Sequence, residues 1–125
     1  MRLLLDTHVL VWWWQDDPRL GGAPRRMIAD PAVKVLVSAV SAWEIAIKST
    51  LGKLRLDGDV EEQVDLAGFG KLPIGFGHAA EAARLPPHHE DPFDRMLIAQ
   101  ARCEGLTLVT ADRRMEPYSV AVLWT

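Results

Sequence analysis

Four carboxylates stand where this sequence can do chemistry. Asp6 closes the run LLLD, Glu44 lies in SAWEI just after VLVS, Asp94 lies in DPFDR, and Asp112 follows LVT by two residues. Each alone has an ordinary explanation. Asp6 suits a cap on a helix starting at Thr7. Ser41-x-x-Glu44 has the spacing of a capping box. Asp91-Pro92-Phe93-Asp94 reads as cap, proline at the first helical position and an acid near the positive helix end. Thr110-Ala-Asp112 fits a turn. Together they read differently. Carboxylates gathered in one place stay ionised only if positive charge joins them, and no lysine follows Lys71 to supply it. An all-oxygen donor set suits Mg²⁺ or Mn²⁺. Asp6 and Asp94 are the expected chief ligands, with Asp112 and Glu44 completing or orienting the set around one ion or two.

Neighbouring residues have weaker claims. Thr7 and Thr110 are placed to hydrogen-bond a ligating carboxylate or its water, or simply to cap and turn the chain. Lys48 stands four residues after Glu44, the spacing of a surface ion pair, with a phosphate contact as the alternative. Arg95 and Arg113 each adjoin a site acid and are candidates for phosphate contact. His88-His89-Glu90-Asp91 resembles a metal cluster, but adjacent positions do not converge readily on one ion. That loop is expected to shape the pocket rim, with Asp91 capping the next helix. Cys103 is expected to be a small buried side chain.

The elements that must position these groups alternate. Arg2–Asp6, Lys34–Ser38, Lys71–Ile74, Leu106–Thr110 and Val120–Leu123 read as short, buried strands. Thr7–Trp14, Pro24–Asp30, Val40–Leu51, Asp59–Ala67, His78–Leu85 and Pro92–Glu104 read as helices, with Val40, Trp43, Ile47 and Leu51 forming one apolar stripe. Continuous apolar strands alternating with helices predict a three-layer α/β fold, an open parallel sheet of about five strands between helices. In such folds ligands sit beyond the carboxyl ends of the strands, where all four acids fall.

The chain has 125 residues, a length that suits one domain spanning 1–125. Acids exceed lysine and arginine 17 to 14, a net charge of −3, which lacks the basic excess usual in nucleic-acid binders. Setting the four site acids aside leaves 13 acids against 14 bases, so a phosphate backbone could approach a metal-loaded pocket. Val9–Trp14 is too short to cross a bilayer, MRLLLD lacks the pattern of a signal peptide, and one cysteine excludes an internal disulfide framework. A cytoplasmic protein away from membranes is expected. Trp12, Trp13 and Trp14 are consecutive, so on a helix at least one should reach the surface and anchor a protein partner.

LLLDTHVLVW, SAWEIAIKSTLGKL, HHEDPFDRMLIAQA and LVTADRRM, in that order, resemble a PIN domain. They are most similar to the VapC-type ribonuclease toxins of type II toxin–antitoxin pairs, over essentially the whole chain. The resemblance implies a PIN-like fold, an acidic pocket binding Mg²⁺ or Mn²⁺, endonucleolytic cleavage of RNA, a cognate antitoxin and a homodimer. The family's four acids fall on Asp6, Glu44, Asp94 and Asp112. Competing readings differ at identifiable residues. A phospho-receiver signalling module needs paired acids after the first strand and a late lysine, and a haloacid-dehalogenase phosphatase needs an acid where His8 stands. A non-catalytic binding module would fail to cut RNA. A DNA- or flap-cutting nuclease of the same fold would be longer and more basic.

Overall fold

The computed structural model describes all 125 residues. Five parallel strands form one sheet: β1 (Arg2–Leu5), β2 (Lys34–Ser38), β3 (Gly70–Leu72), β4 (Thr107–Thr110) and β5 (Val122–Trp124). Their order is β3-β2-β1-β4-β5. Six helices cover it: α1 (Thr7–Trp14), α2 (Gly22–Ala29), α3 (Ala39–Thr50), α4 (Val60–Leu66), α5 (Phe76–Arg84) and α6 (Pro92–Glu104). The expected three-layer architecture is present.

Side-chain alternation along the central strands builds two cores. Leu3, Leu5, Val35, Val37 and Val109 face one side, packing against Val9 and Leu10 of α1, Ile28 of α2 and Val64 of α4. Leu4, Leu36 and Leu108 face the other, packing against Leu97 and Ile98 of α6. Because both faces are covered, the strands are apolar throughout rather than alternating with polar residues.

Helix ends follow local chemistry. Asp6 accepts a hydrogen bond from the Thr7 amide and starts α1. Asp91 accepts from the amides of Phe93 and Asp94 and starts α6, which Gly105 ends in the left-handed conformation at φ 65°. The capping expectation at Ser41 is corrected. Ser38 caps α3, its side chain accepting from the Val40 amide. Ser41 therefore lies inside the helix, and Glu44 in its second turn rather than its first. β3 and β5 are displaced from the expected spans because strand pairing, rather than apolar content, sets their ends. Gly70 pairs with Leu36 and Trp124 with Thr110.

Burial corrects three further expectations. The stripe on α3 is only partly inward: Val40 is buried, but Trp43 is 61% and Leu51 62% exposed, while Ser41, Glu44 and Ile45 are buried. Helix α3 turns its acid toward the carboxyl edge of the sheet, and most of the apolar stripe lies outside the core. Trp12, Trp13 and Trp14 are all half-buried. Trp12 packs edge-on to His8 and beneath Arg19, and Trp13 packs on Phe69. The exposed tryptophan is thus Trp43. Cys103 is exposed.

Candidate metal centre

Strand order reverses between β1 and β4, and the crevice there opens at the carboxyl ends of both strands, the usual place for a ligand in an open α/β sheet. A cavity of about 390 Å³ occupies it. Asp6, Glu44, Asp94 and Asp112 all line this cavity, together with Thr7, His8, Lys48 and Asp91. A larger, mainly apolar pocket between α3, α4 and β3 contains none of these acids.

Asp6 is buried at the end of β1. Its Oδ1 accepts from the Thr7 amide at 2.7 Å and its Oδ2 from the Thr110 hydroxyl at 2.5 Å. The His8 ring nitrogen Nδ1 lies 3.3 Å from Oδ2. Burial pushes the Asp6 carboxyl upward, against the opposing pull of His8 and these hydrogen bonds. Thr110 also accepts from the Asp112 amide at 3.0 Å, so one hydroxyl ties two acid-bearing segments together. Thr7 donates to the Ser41 hydroxyl at 2.9 Å, fastening α1 to α3 beside Glu44.

Glu44 Oε2 accepts from Lys48 Nζ at 2.6 Å, while Oε1 is buried with no partner. The ion pair holds the Lys48 ammonium group above its ordinary pKa. Asp94 Oδ2 lies 2.7 Å from His89 Nε2. Burial first, then the charges of Asp6, Asp91, Glu44 and Asp112, push the Asp94 carboxyl up to about 8. Asp112 is the opposite case. Arg114 donates to it from its amide and guanidinium, at 2.7 Å for the closest pair, and holds it at about 2.

These contacts correct the view that the acids lack basic partners. Lys48, Arg114 and His89 all reach them, and none of these pairings required a lysine after residue 71. The two arginines singled out from sequence lie elsewhere. Arg113 stacks over Trp124 at 4.1 Å from the ring centre. Arg95 donates to the carbonyls of Ala82, Leu85, Pro86 and His89. It clamps the loop from α5 to α6 rather than facing the pocket. Arg95→Ala is therefore expected to lower stability by about 2 kcal/mol in chemical denaturation, since four carbonyls lose a charged donor. A change below about 0.5 kcal/mol would show that water replaces the guanidinium without cost.

Arg114, Arg19 and Lys53 were not anticipated, and all three line the cavity; His89 was expected only in a loop shaping the rim. Arg114 was legible in principle, because a residue two after a turn acid can fold back on it. His89 is brought beside Asp94 and Asp112 by the loop's path, and sequence spacing does not carry that. The donor atoms of His89, Asp94 and Asp112 lie within 4.8 Å of one another.

The donor set fits a hard divalent cation. Its four acids line one cavity, burial and then like charge push the Asp94 carboxyl up to about 8, and the partnerless Glu44 Oε1 lacks the donor or cation that a buried carboxylate oxygen requires.

Fold and pocket define an open α/β domain with a carboxylate site at the carboxyl edge of its sheet. The PIN domain family model matches residues 3–120, and the chain belongs to that family. It is 32% identical over 119 residues to Ribonuclease VapC22 of Mycobacterium tuberculosis, covering 93% of this chain and 91% of that protein. Its fold is similar to that of VapBC2 from Rickettsia felis bound to a promoter DNA fragment, at a TM-score of 0.73 and 14% identity, covering 98% of each chain. It is also similar to FitAcB from Neisseria gonorrhoeae, at a TM-score of 0.60 and 21% identity, covering 97% of this chain and 96% of that one. No helix is long and apolar enough to cross a membrane.

Proposed function

We propose that the protein is a divalent-metal-dependent endoribonuclease, the toxin of a toxin–antitoxin pair. The observation that carries this reading is the convergence of Asp6, Glu44, Asp94 and Asp112 on one cavity in a PIN-domain chain. The similarity to a ribonuclease supports RNA as substrate, and the VapBC likeness supports a cognate antitoxin as partner. A homodimer and a cytoplasmic setting accompany this reading. Mg²⁺ or Mn²⁺ is the ion.

Asp6 and Asp94 would hold the ion, and Asp112 and Glu44 would complete or orient the set. Bound there, a divalent cation supplies the positive charge that activates a water near neutral pH and steadies the phosphate as its charge develops. The chain does the rest. Thr7 and Thr110 fix the rotamer of Asp6. Lys48 holds one Glu44 oxygen and leaves the other without a partner. Arg19, Lys53 and Arg114 stand at the rim, where a phosphate backbone would approach. Cleavage of RNA that requires Asp94 tests the reading.

Asp94 also sets a pH dependence. Without metal, the folded chain keeps its proton up to about pH 8, whereas the unfolded chain gives it up near 3.8. Folding therefore suffers no penalty from this group below about pH 4. The penalty accumulates as pH rises to about 8. The metal-free melting temperature should carry a component that falls across this window and is absent from Asp94→Asn. Mn²⁺ affinity should rise over the same window, by up to about tenfold per pH unit, because binding displaces one proton. Calorimetric titrations at pH 6, 7 and 8 check this. A flat profile would mean Asp94 is already ionised.

A further inference from the structure

We infer that His89 is a positioning residue for the metal centre, its ring holding Asp94 in its ligating rotamer. The inference rests on the metal-site reading above and deepens it. His89 is 3% exposed and is not a surface residue that happens to touch an acid. Its Nε2 lies 2.7 Å from Asp94 Oδ2 and 3.5 Å from Asp112 Oδ2. An ionised carboxylate only accepts hydrogen bonds, so with the site loaded Nε2 must carry the hydrogen. The tautomer agrees, because Nδ1 faces the Asp91 amide at 3.5 Å and is the accepting nitrogen.

The surrounding structure is built to keep that ring in place. The Tyr118 hydroxyl accepts from the His89 amide at 2.9 Å and donates to the Pro86 carbonyl at 2.8 Å. The Arg95 guanidinium holds the His89 carbonyl at 3.2 Å, two more carbonyls of the same loop (Leu85 and Pro86) and that of Ala82 in α5. A loop between two helices would ordinarily be mobile. This one is fastened at both the amide and the carbonyl of a single residue, and that residue's ring reaches two acids of the pocket. Groups that orient ligands from outside the coordination sphere change metal affinity about 10–100-fold when removed.

The test is a Mn²⁺ titration of the full chain by calorimetry, joined to pulsed EPR of the bound ion and to metal-free melts that confirm folding. Wild type should bind Mn²⁺ with no nitrogen hyperfine coupling. His89→Ala should bind about 10–100-fold more weakly. His89→Gln, which offers an N–H near the place of Nε2, should return to within about threefold of wild type. Tyr118→Phe keeps the ring packing and loses the hydroxyl; it should weaken binding in the same direction but less, and it serves if His89→Ala does not fold. Unchanged affinity in the Ala variant, or a Gln variant as weak as Ala, would overturn the inference while leaving the metal site standing. Nitrogen coupling in the wild type would also overturn it, because the ring would then be a ligand itself. Failure of the wild type to bind Mn²⁺ would instead overturn the metal-site reading, and this inference with it.

Discussion

Asp94→Asn is expected to reduce RNA cleavage by at least about 100-fold while raising the stability of the metal-free chain. The two effects have one cause. Asp94 is buried among Asp6, Asp91, Glu44 and Asp112, and together these push its carboxyl up to about 8. Asparagine keeps the size, the position in the first turn of α6 and an oxygen that accepts from His89. It removes only the charge. Loss of a ligating oxyanion should exceed the 10–100-fold that disturbing an outer partner costs. Removing the like-charge and burial penalty should add about 1–3 kcal/mol at pH 7, with water in the pocket discounting the full value. Cleavage rates and denaturation midpoints on the same preparation check both. Loss of activity together with lost stability would point to a structural role for Asp94.

Thr110→Val should damage both activity and stability. Thr110 is fully buried, and its hydroxyl donates to Asp6 Oδ2 and accepts from the Asp112 amide. Valine has nearly the same shape, so packing is kept and the hydrogen bonds alone are lost. Leaving the Asp112 amide unpaired and Asp6 Oδ2 with only the longer His8 contact should cost about 1–3 kcal/mol. Freeing the Asp6 rotamer should lower cleavage about 10–100-fold. Thr110→Ser, which keeps the hydroxyl, should recover most of the activity. If valine cleaves normally, Thr110 serves only the turn after β4.

The alternation of strands and helices and the placement of the four acids at one sheet edge were legible because they rest on local rules. Apolar runs of four or five residues bounded by turns can be read without knowing their partners. So can Asp91-Pro92 ahead of α6 and Gly105 after it. What was hidden depends on long-range packing. The stripe on α3 has helical period, but its direction is set by Ser41 meeting Thr7 across the sheet edge. Arg95 and Arg113 sit next to site acids in sequence, yet neighbouring positions on a turn point in different directions, and both side chains go elsewhere, Arg95 to the carbonyls before α6 and Arg113 to Trp124. Arg114 reaches its acid because the chain turns back after β4. His89 reaches two acids because Tyr118 and Arg95 hold its loop against them.

The central claim is that the pocket works through a divalent cation. It is tested most directly by incubating the purified chain with RNA under three conditions: Mg²⁺ or Mn²⁺ present, excess EDTA, and EDTA followed by excess metal. Cleavage should occur in the first, cease in the second and return in the third, with the circular dichroism spectrum unchanged throughout because both cores are independent of the ion. Full cleavage in EDTA by the wild type, absent in Asp94→Asn prepared alongside it, would contradict the claim.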